Sequence, residues 1–222
     1  MSIGAWAALA SEVAAAILSP PRCSACDAPV GRLAAFCPAC APSALAADDE
    51  RADDLAAFVY GGAIARAVTR MKYERRPDLA RPLGDLLAAA IERRAPLDRA
   101  CVVVPVPLHP LRLAERGFNP AALIGRRIAR HFDVALWPLA LRRTRSTRAQ
   151  ATLDRTDRQA NVAGAFAVRR PERLRGRPVL LVDDVRTTGA TLEACAAALR
   201  SAEAGAVKAA VVARADRNAR LM

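Results

Sequence analysis

Residues Val179 to Thr191 read VLLVDDVRTTGAT, and this stretch decides the fold. Four apolar, partly β-branched residues make a buried strand without alternation, as in a parallel sheet covered on both faces. The strand ends on two carboxylates, Asp183 and Asp184, and turns through Thr187, Thr188 and Gly189 into the alanine-rich run ATLEACAAALRSA, which has helical spacing. Carboxyl ends of parallel strands are where open α/β sheets bind ligands. The unpaired N–H groups of a helix start, with Thr hydroxyls beside them and a glycine that permits close approach, form an anion seat best suited to phosphate. Two carboxylates beside that seat repel phosphate, so they must face hydrogen-bond donors or a metal. A sugar phosphate meets both demands, with ribose hydroxyls on the acids and the 5′-phosphate in the loop. The rival is two surface aspartates capping a helix, which accounts for one acid and not for the whole set. A nucleotide-binding P-loop is excluded, because no G-x-x-x-x-G-K-[ST] occurs in the chain.

Working outward, CVVVPVP (101–107) reads as a second buried strand with a stiff, proline-bounded loop, and VKAAVVARA (207–215) as the last strand. FVYGG followed by AIARAVTRMKY suggests a strand entering a helix, while LARPLGDLLAAAIERR and AALIGRRIARHF have amphipathic helical spacing. AFAV (165–168) reads as a short strand. The expectation is an α/β fold with a mostly parallel twisted sheet. Residues 1–21 are expected to form an amphipathic helix; they lack a basic start and Glu12 interrupts the apolar run, so they do not read as a signal peptide. No stretch approaches the ~18 to 20 uncharged apolar residues of a membrane span, and the chain is expected to be cytoplasmic.

Between these parts, RCSACDAPVGRLAAFCPACAP places Cys23 and Cys26, then Cys37 and Cys40, in two C-x-x-C turns joined by a ten-residue loop. Four thiolates converging at ~2.3 Å on one ion is the structural zinc arrangement. An Fe–S cluster uses the same ligands and a redox pair uses one of the turns; the repeated spacing favours Zn²⁺. Such a site is closed and has no catalytic position. The expected organisation is a zinc ribbon over 22–45, an Asp-rich linker AADDERADD, and one α/β domain over 55–222. Cys101 and Cys195 fall in apolar patterns and read as core.

The 222 residues are 53% hydrophobic and 25% charged, enough to build a core, with 34 basic against 22 acidic residues and a net charge of +12. That balance fits a polyanionic partner or a phosphorylated ligand, or is compositional habit, since nearly every basic residue is Arg. Aromatic residues are only 4%, so stacking platforms for single strands are scarce.

VLLVDDVRTTGAT resembles the phosphoribosyl-pyrophosphate (PRPP) signature of type I phosphoribosyltransferases. The resemblance implies that Asp183 and Asp184 bind the ribose hydroxyls, directly or through Mg²⁺, and that Val185, Arg186, Thr187, Thr188, Gly189, Ala190 and Thr191 form the loop for the 5′-phosphate. Arg186 departs from the apolar residue common there and adds positive charge. MKY (71–73), PVPLHPLRLAERGFNPAALI (105–124), RRTRSTRAQATLDRTDRQANVAGAFAV (142–168) and the signature follow the order found in ComF-type competence proteins (the ComFC or GntX group), whose four-cysteine ribbon is also matched. Pro120 stands where many relatives have Gln. This resemblance implies that Val106 lies in a pyrophosphate loop, that Lys72 and Tyr73 reach the same ligand, and that Arg143, Arg148 and Gln150 belong to a basic flap over PRPP. It further implies a role in natural transformation with single-stranded DNA and DNA-processing proteins. Two other readings stay open: a working phosphoribosyltransferase in nucleobase or nucleotide salvage, and a non-catalytic nucleic-acid-binding adaptor. The catalytic residues and the acceptor are not legible.

Overall fold

A computed structural model of the chain describes residues 21–47, 54–94, 97–144 and 164–215. The expected N-terminal helix, the centre of the Asp-rich stretch, and Arg148 and Gln150 of the expected flap lie outside the described residues. Among the described residues, seven strands and five α-helices are seen: β1 (Asp54–Val59), α1 (Gly62–Tyr73), α2 (Ala80–Arg94), β2 (Val102–Pro105), α3 (Pro110–Arg116), α4 (Pro120–Phe132), β3 (Ala135–Leu136), β4 (Leu141–Arg143), β5 (Phe166–Val168), β6 (Val179–Arg186), α5 (Ala190–Ser201) and β7 (Val207–Arg214). Five strands form an all-parallel sheet in the order β1-β7-β6-β2-β3, while β4 and β5 pair antiparallel in a separate two-stranded sheet.

The expected α/β architecture is therefore present. The runs VVVP and VLLV are buried along their whole length because helices or loops cover both faces. Alternation along each strand divides the core. Val103, Leu180, Val182, Ala210 and Val212 pack with α1, α2 and α4, whereas Val102, Val104, Val179, Leu181, Ala209 and Val211 pack with α5 and the β4–β5 pair. Cys101 and Cys195 are buried in these layers, as their apolar surroundings imply.

Three features differ from the sequence expectation. β6 runs on through Arg186, because β7 continues to pair with it at Val185↔Ala213 and Arg186↔Arg214. β1 begins at Asp54, inside the stretch read as linker. The cysteine unit also does not stand apart from the sheet. Ala46 bridges Phe58 antiparallel, and the Ser43 hydroxyl accepts a hydrogen bond from Ala63 N–H at 3.0 Å, satisfying a free donor at the start of α1. The contact is close: Gly62 has φ +48°, and a Cβ there would lie 2.3 Å from the Ser43 carbonyl oxygen, so only glycine fits.

Connections leave β2 through α4 towards β3 on one side, and leave β6 through α5 towards β7 on the other. The switch point of the sheet, where a crevice opens for a ligand, thus lies between β2 and β6. It is at the carboxyl ends of these strands that the signature residues stand.

Candidate functional site

At the crevice, the last backbone bond between the two strands is Val106 N–H to Val182 O, at 2.8 Å. Past Val182, β6 is paired only with β7, so Asp183 and Asp184 emerge where β2 has turned away. Their Cα atoms are adjacent, and pleating sends successive side chains to opposite faces. Asp184 is 6% exposed and receives Lys72 Nζ at 2.6 Å. Lys72 is near the end of α1, which leaves β1 two strands away, so α1 crosses the carboxyl edge of the sheet to deliver its ammonium. Burial works against the Lys72 charge, but the charge and hydrogen bond of Asp184, aided by Asp183, hold its pKa above the ordinary value. Asp183 is pushed up to about 7, first by burial and then by the neighbouring Asp184, against the opposing pull of Lys72. Lys72 thus bonds Asp184 alone and acts on Asp183 only through its charge.

The loop that follows is short. Gly189 sits at the N-cap of α5 with φ +86°, a left-handed conformation that costs glycine nothing. Thr188 Oγ1 accepts from Ala190 N–H at 3.4 Å; Thr187 is exposed, Thr188 and Thr191 are half-buried, and Ala190 is buried. The first-turn N–H groups of α5 have no partners within the helix and point back over the loop. The Arg186 guanidinium donates to Asp54 Oδ2 at 2.8 Å with its side chain 10% exposed, so its charge is spent on an ion pair within the fold. Val185 packs against the core.

The loop after β2 is fixed from two sides. Val106 gives its N–H to Val182 and its carbonyl accepts from Asn119 Nδ2 at 2.9 Å, while Asn119 Oδ1 accepts from Ala121 N–H at 3.1 Å. Asn119 therefore caps α4 and anchors the loop together. Pro120 fills the first helical position, where no N–H is needed. Since both polar backbone groups of Val106 are engaged and its side chain is buried, it serves as the fixed point of this loop, and Leu108 carries the next N–H. Tyr73 is 68% exposed beside Lys72, and the Arg116 guanidinium lies over its ring. Arg143, on β4, stacks on Phe166 at 5.6 Å from the ring centroid, and burial works against its charge.

The second site is the cysteine unit. One ligand sulfur from each of Cys23, Cys26, Cys37 and Cys40 lies within 4.8 Å of the others, and the Cys26 and Cys37 sulfurs are 3.6 Å apart. Sulfurs at tetrahedral corners ~2.3 Å from one ion are separated by about 3.8 Å. The four side chains thus fit a single metal ion. Cys23 is lowered to about 6: burial opposes this, but hydrogen bonds from the backbone of Cys37, Cys26 and Ala25 outweigh it. Cys40 is pushed up to about 12 by burial and by the neighbouring thiols. Helix α1 holds the unit: Arg66 donates to Cys40 Sγ at 3.6 Å, and Arg70 donates to the Ser24 carbonyl at 3.2 Å and pairs with Asp27. These arginines were not singled out by sequence reasoning, and only their spacing of four on one helix face hints at a shared partner.

The description "Phosphoribosyl transferase domain" fits residues 119–222, which include β6, the loop and α5. Competence protein F of Haemophilus influenzae is 34% identical over 138 residues, covering 60% of this chain and 60% of that protein. The DNA utilization protein YhgH of Escherichia coli K12 is 32% identical over 152 residues, covering 67% of this chain and 66% of its own length. The chain spans a little under two thirds of each of these relatives. Among solved structures, a glutamine PRPP amidotransferase from B. subtilis superposes with a TM-score of 0.44 at 16% identity (65% of this chain, 30% of that one), and an adenine phosphoribosyltransferase with 0.42 at 18% (64% and 74%). The chain is a homologue of Competence protein F and YhgH, a ComF-type protein that pairs a phosphoribosyl transferase domain with a four-cysteine unit near its N-terminus.

Proposed function

We propose that the protein binds PRPP, or a closely related ribose phosphate, in the crevice between β2 and β6. The observation that carries this reading is the Lys72–Asp184 pair at the point where β2 leaves β6, with Asp183 next to it and the Gly189 turn beyond. In this reading the Asp183 and Asp184 carboxylates accept hydrogen bonds from the ribose hydroxyls. Thr187, Thr188, Thr191 and the first N–H groups of α5 take the 5′-phosphate. Lys72 pairs with Asp184 and lends positive charge to the side on which pyrophosphate would lie. The two carboxylates also suit Mg²⁺, an oxygen-seeking ion that would neutralise pyrophosphate charge. The cysteine unit holds a structural Zn²⁺ and leaves no coordination position for chemistry.

When an acceptor is present, pyrophosphate leaves C1 with the bonding electron pair and the acceptor's nucleophilic atom bonds C1 in its place, through an oxocarbenium-like transition state; this chain's contribution is to hold the ribose by its hydroxyls and phosphate. The basic composition and the names of the two relatives support a role in DNA uptake, with single-stranded DNA and DNA-processing proteins as partners. No described helix is long and apolar enough to cross a membrane. Titration of PRPP with Mg²⁺ into the wild type and into Asp183→Asn/Asp184→Asn tests the central reading. Binding that drops at least tenfold in the variant supports it, and a wild type that takes up no PRPP refutes it. Binding to a short oligodeoxynucleotide, followed against salt, tests the DNA part; a flat salt response or no binding removes it.

A further inference from the structure

Helix α3 buries none of its side chains, yet both its ends are capped: His109 Nδ1 accepts from Leu111 N–H, and Gly117 closes it with φ +83°. Packing does not account for this helix; what it presents at the crevice does. Its last residue, Arg116, holds its guanidinium carbon 5.7 Å from the centroid of the Tyr73 ring. Tyr73 ends α1, directly after the lysine bonded to Asp184. The two ends are tied together, because Arg75, at φ +53°, donates to the Glu115 carbonyl at 3.1 Å. Tyr73 is 68% exposed in a chain with only two tyrosines, two tryptophans and five phenylalanines. An aromatic face left in water, backed by a guanidinium and set beside the acid pair, is a stacking surface with a charged rim.

We propose that Tyr73 and Arg116 seat an unpaired nucleobase at the mouth of the crevice. The base is either free or carried in a single strand, and its flat face lies on the tyrosine ring. A phosphate alone would use the arginine and leave the ring idle, whereas a base uses both. The inference rests on the ribose-phosphate reading for the identity of its neighbour and on the Tyr73–Arg116 geometry for itself.

The test uses the full metal-loaded chain, a labelled oligothymidylate, an abasic strand of the same length, and free uracil and adenine. The expected result is base-dependent binding, to the oligothymidylate over the abasic strand or to a free base, that falls by about 5- to 150-fold in Tyr73→Ala, the loss of one stacked base. Tyr73→Phe, which keeps the ring, should restore it. Preference for the strand identifies a nucleic-acid source, and binding of the free base a small-molecule one. The proposal is overturned if Tyr73→Ala equals wild type with every ligand, or if the wild type neither distinguishes the two strands nor binds a base. A parallel PRPP titration of the wild type separates the readings: its failure removes the ribose-phosphate reading and leaves the stacking result standing.

Discussion

The cysteine unit and the carboxyl edge of the sheet are both largely buried clusters of ionisable groups, and they are completed in opposite ways. In the first, four sulfurs face one another within 4.8 Å, so one ion satisfies all of them and nothing is left for a substrate. In the second, a single ammonium bonds Asp184 with Asp183 next in the chain, and β2 turns away just where a further partner would stand. Burial is common to both; spare acceptor capacity is found only in the second. On the proposed function, that difference separates a site that holds the fold from one that takes a ligand.

The largest way to break this contrast is Cys37→Ser. A structural zinc contributes about 10 kcal/mol or more to small folds that depend on it, so this variant should lose its bound zinc by elemental analysis and its cooperative melt should weaken or split. Retention of zinc and an unchanged melt would show that the unit is not closed on a metal. Next comes Lys72→Met, which leaves Asp184 buried beside Asp183 with no cation. Urea unfolding should register a loss of about 2–4 kcal/mol, and Lys72→Met/Asp184→Leu should recover most of it, because the cost lies in the orphaned charge. An equal loss in the double variant would mean that Lys72 matters for packing alone.

A pH effect sharpens the same comparison. With Asp183 at about 7 in the fold and 3.8 as the ordinary value, ionising it costs stability, and the loss accumulates as pH rises from 3.8 to about 7. Ligand binding runs the other way, since ribose hydroxyls need the carboxylate. PRPP affinity at saturating Mg²⁺ should rise about tenfold from pH 6 to pH 8, and calorimetry on Asp183→Asn should show a flatter response. The smallest expected effect belongs to Gly189→Ala. Placing a Cβ at φ +86° should cost about 1 kcal/mol in thermal unfolding, together with a modest weakening of phosphate binding.

Much of this was legible in the sequence, for physical reasons that vary by element. VVVP and VLLV could be read as buried parallel strands because continuous β-branched runs have few other uses, and the long helices declared themselves by spacing. Helix α3 was not legible, since it follows two prolines and buries nothing, and β3 and β4 are too short to have a period. Lys72 was singled out next to a ligand-binding role, but its pairing with Asp184 joins residues far apart in the chain, and no local pattern encodes such a contact. Arg186 was expected to add charge at the phosphate loop; its pairing with Asp54 depends on how distant strands pack, which spacing does not reveal. The docking of the cysteine unit through Ser43, Arg66 and Arg70 is likewise a matter of tertiary contact.

The sheet order has a consequence for synthesis. β7, the last of the described strands along the chain, lies between β1 and β6, and among the described strands it is the only neighbour of β1 in the five-stranded sheet. Until β7 emerges, β1 can bond only the short segment around Ala46, and α1, which follows β1, lacks the strand over which it reaches Asp184. Nascent chains should therefore carry a finished amino-terminal unit long before they carry a finished crevice, and a ribosome stalled before Val207 would display an exposed strand edge to whatever chaperone reaches it first.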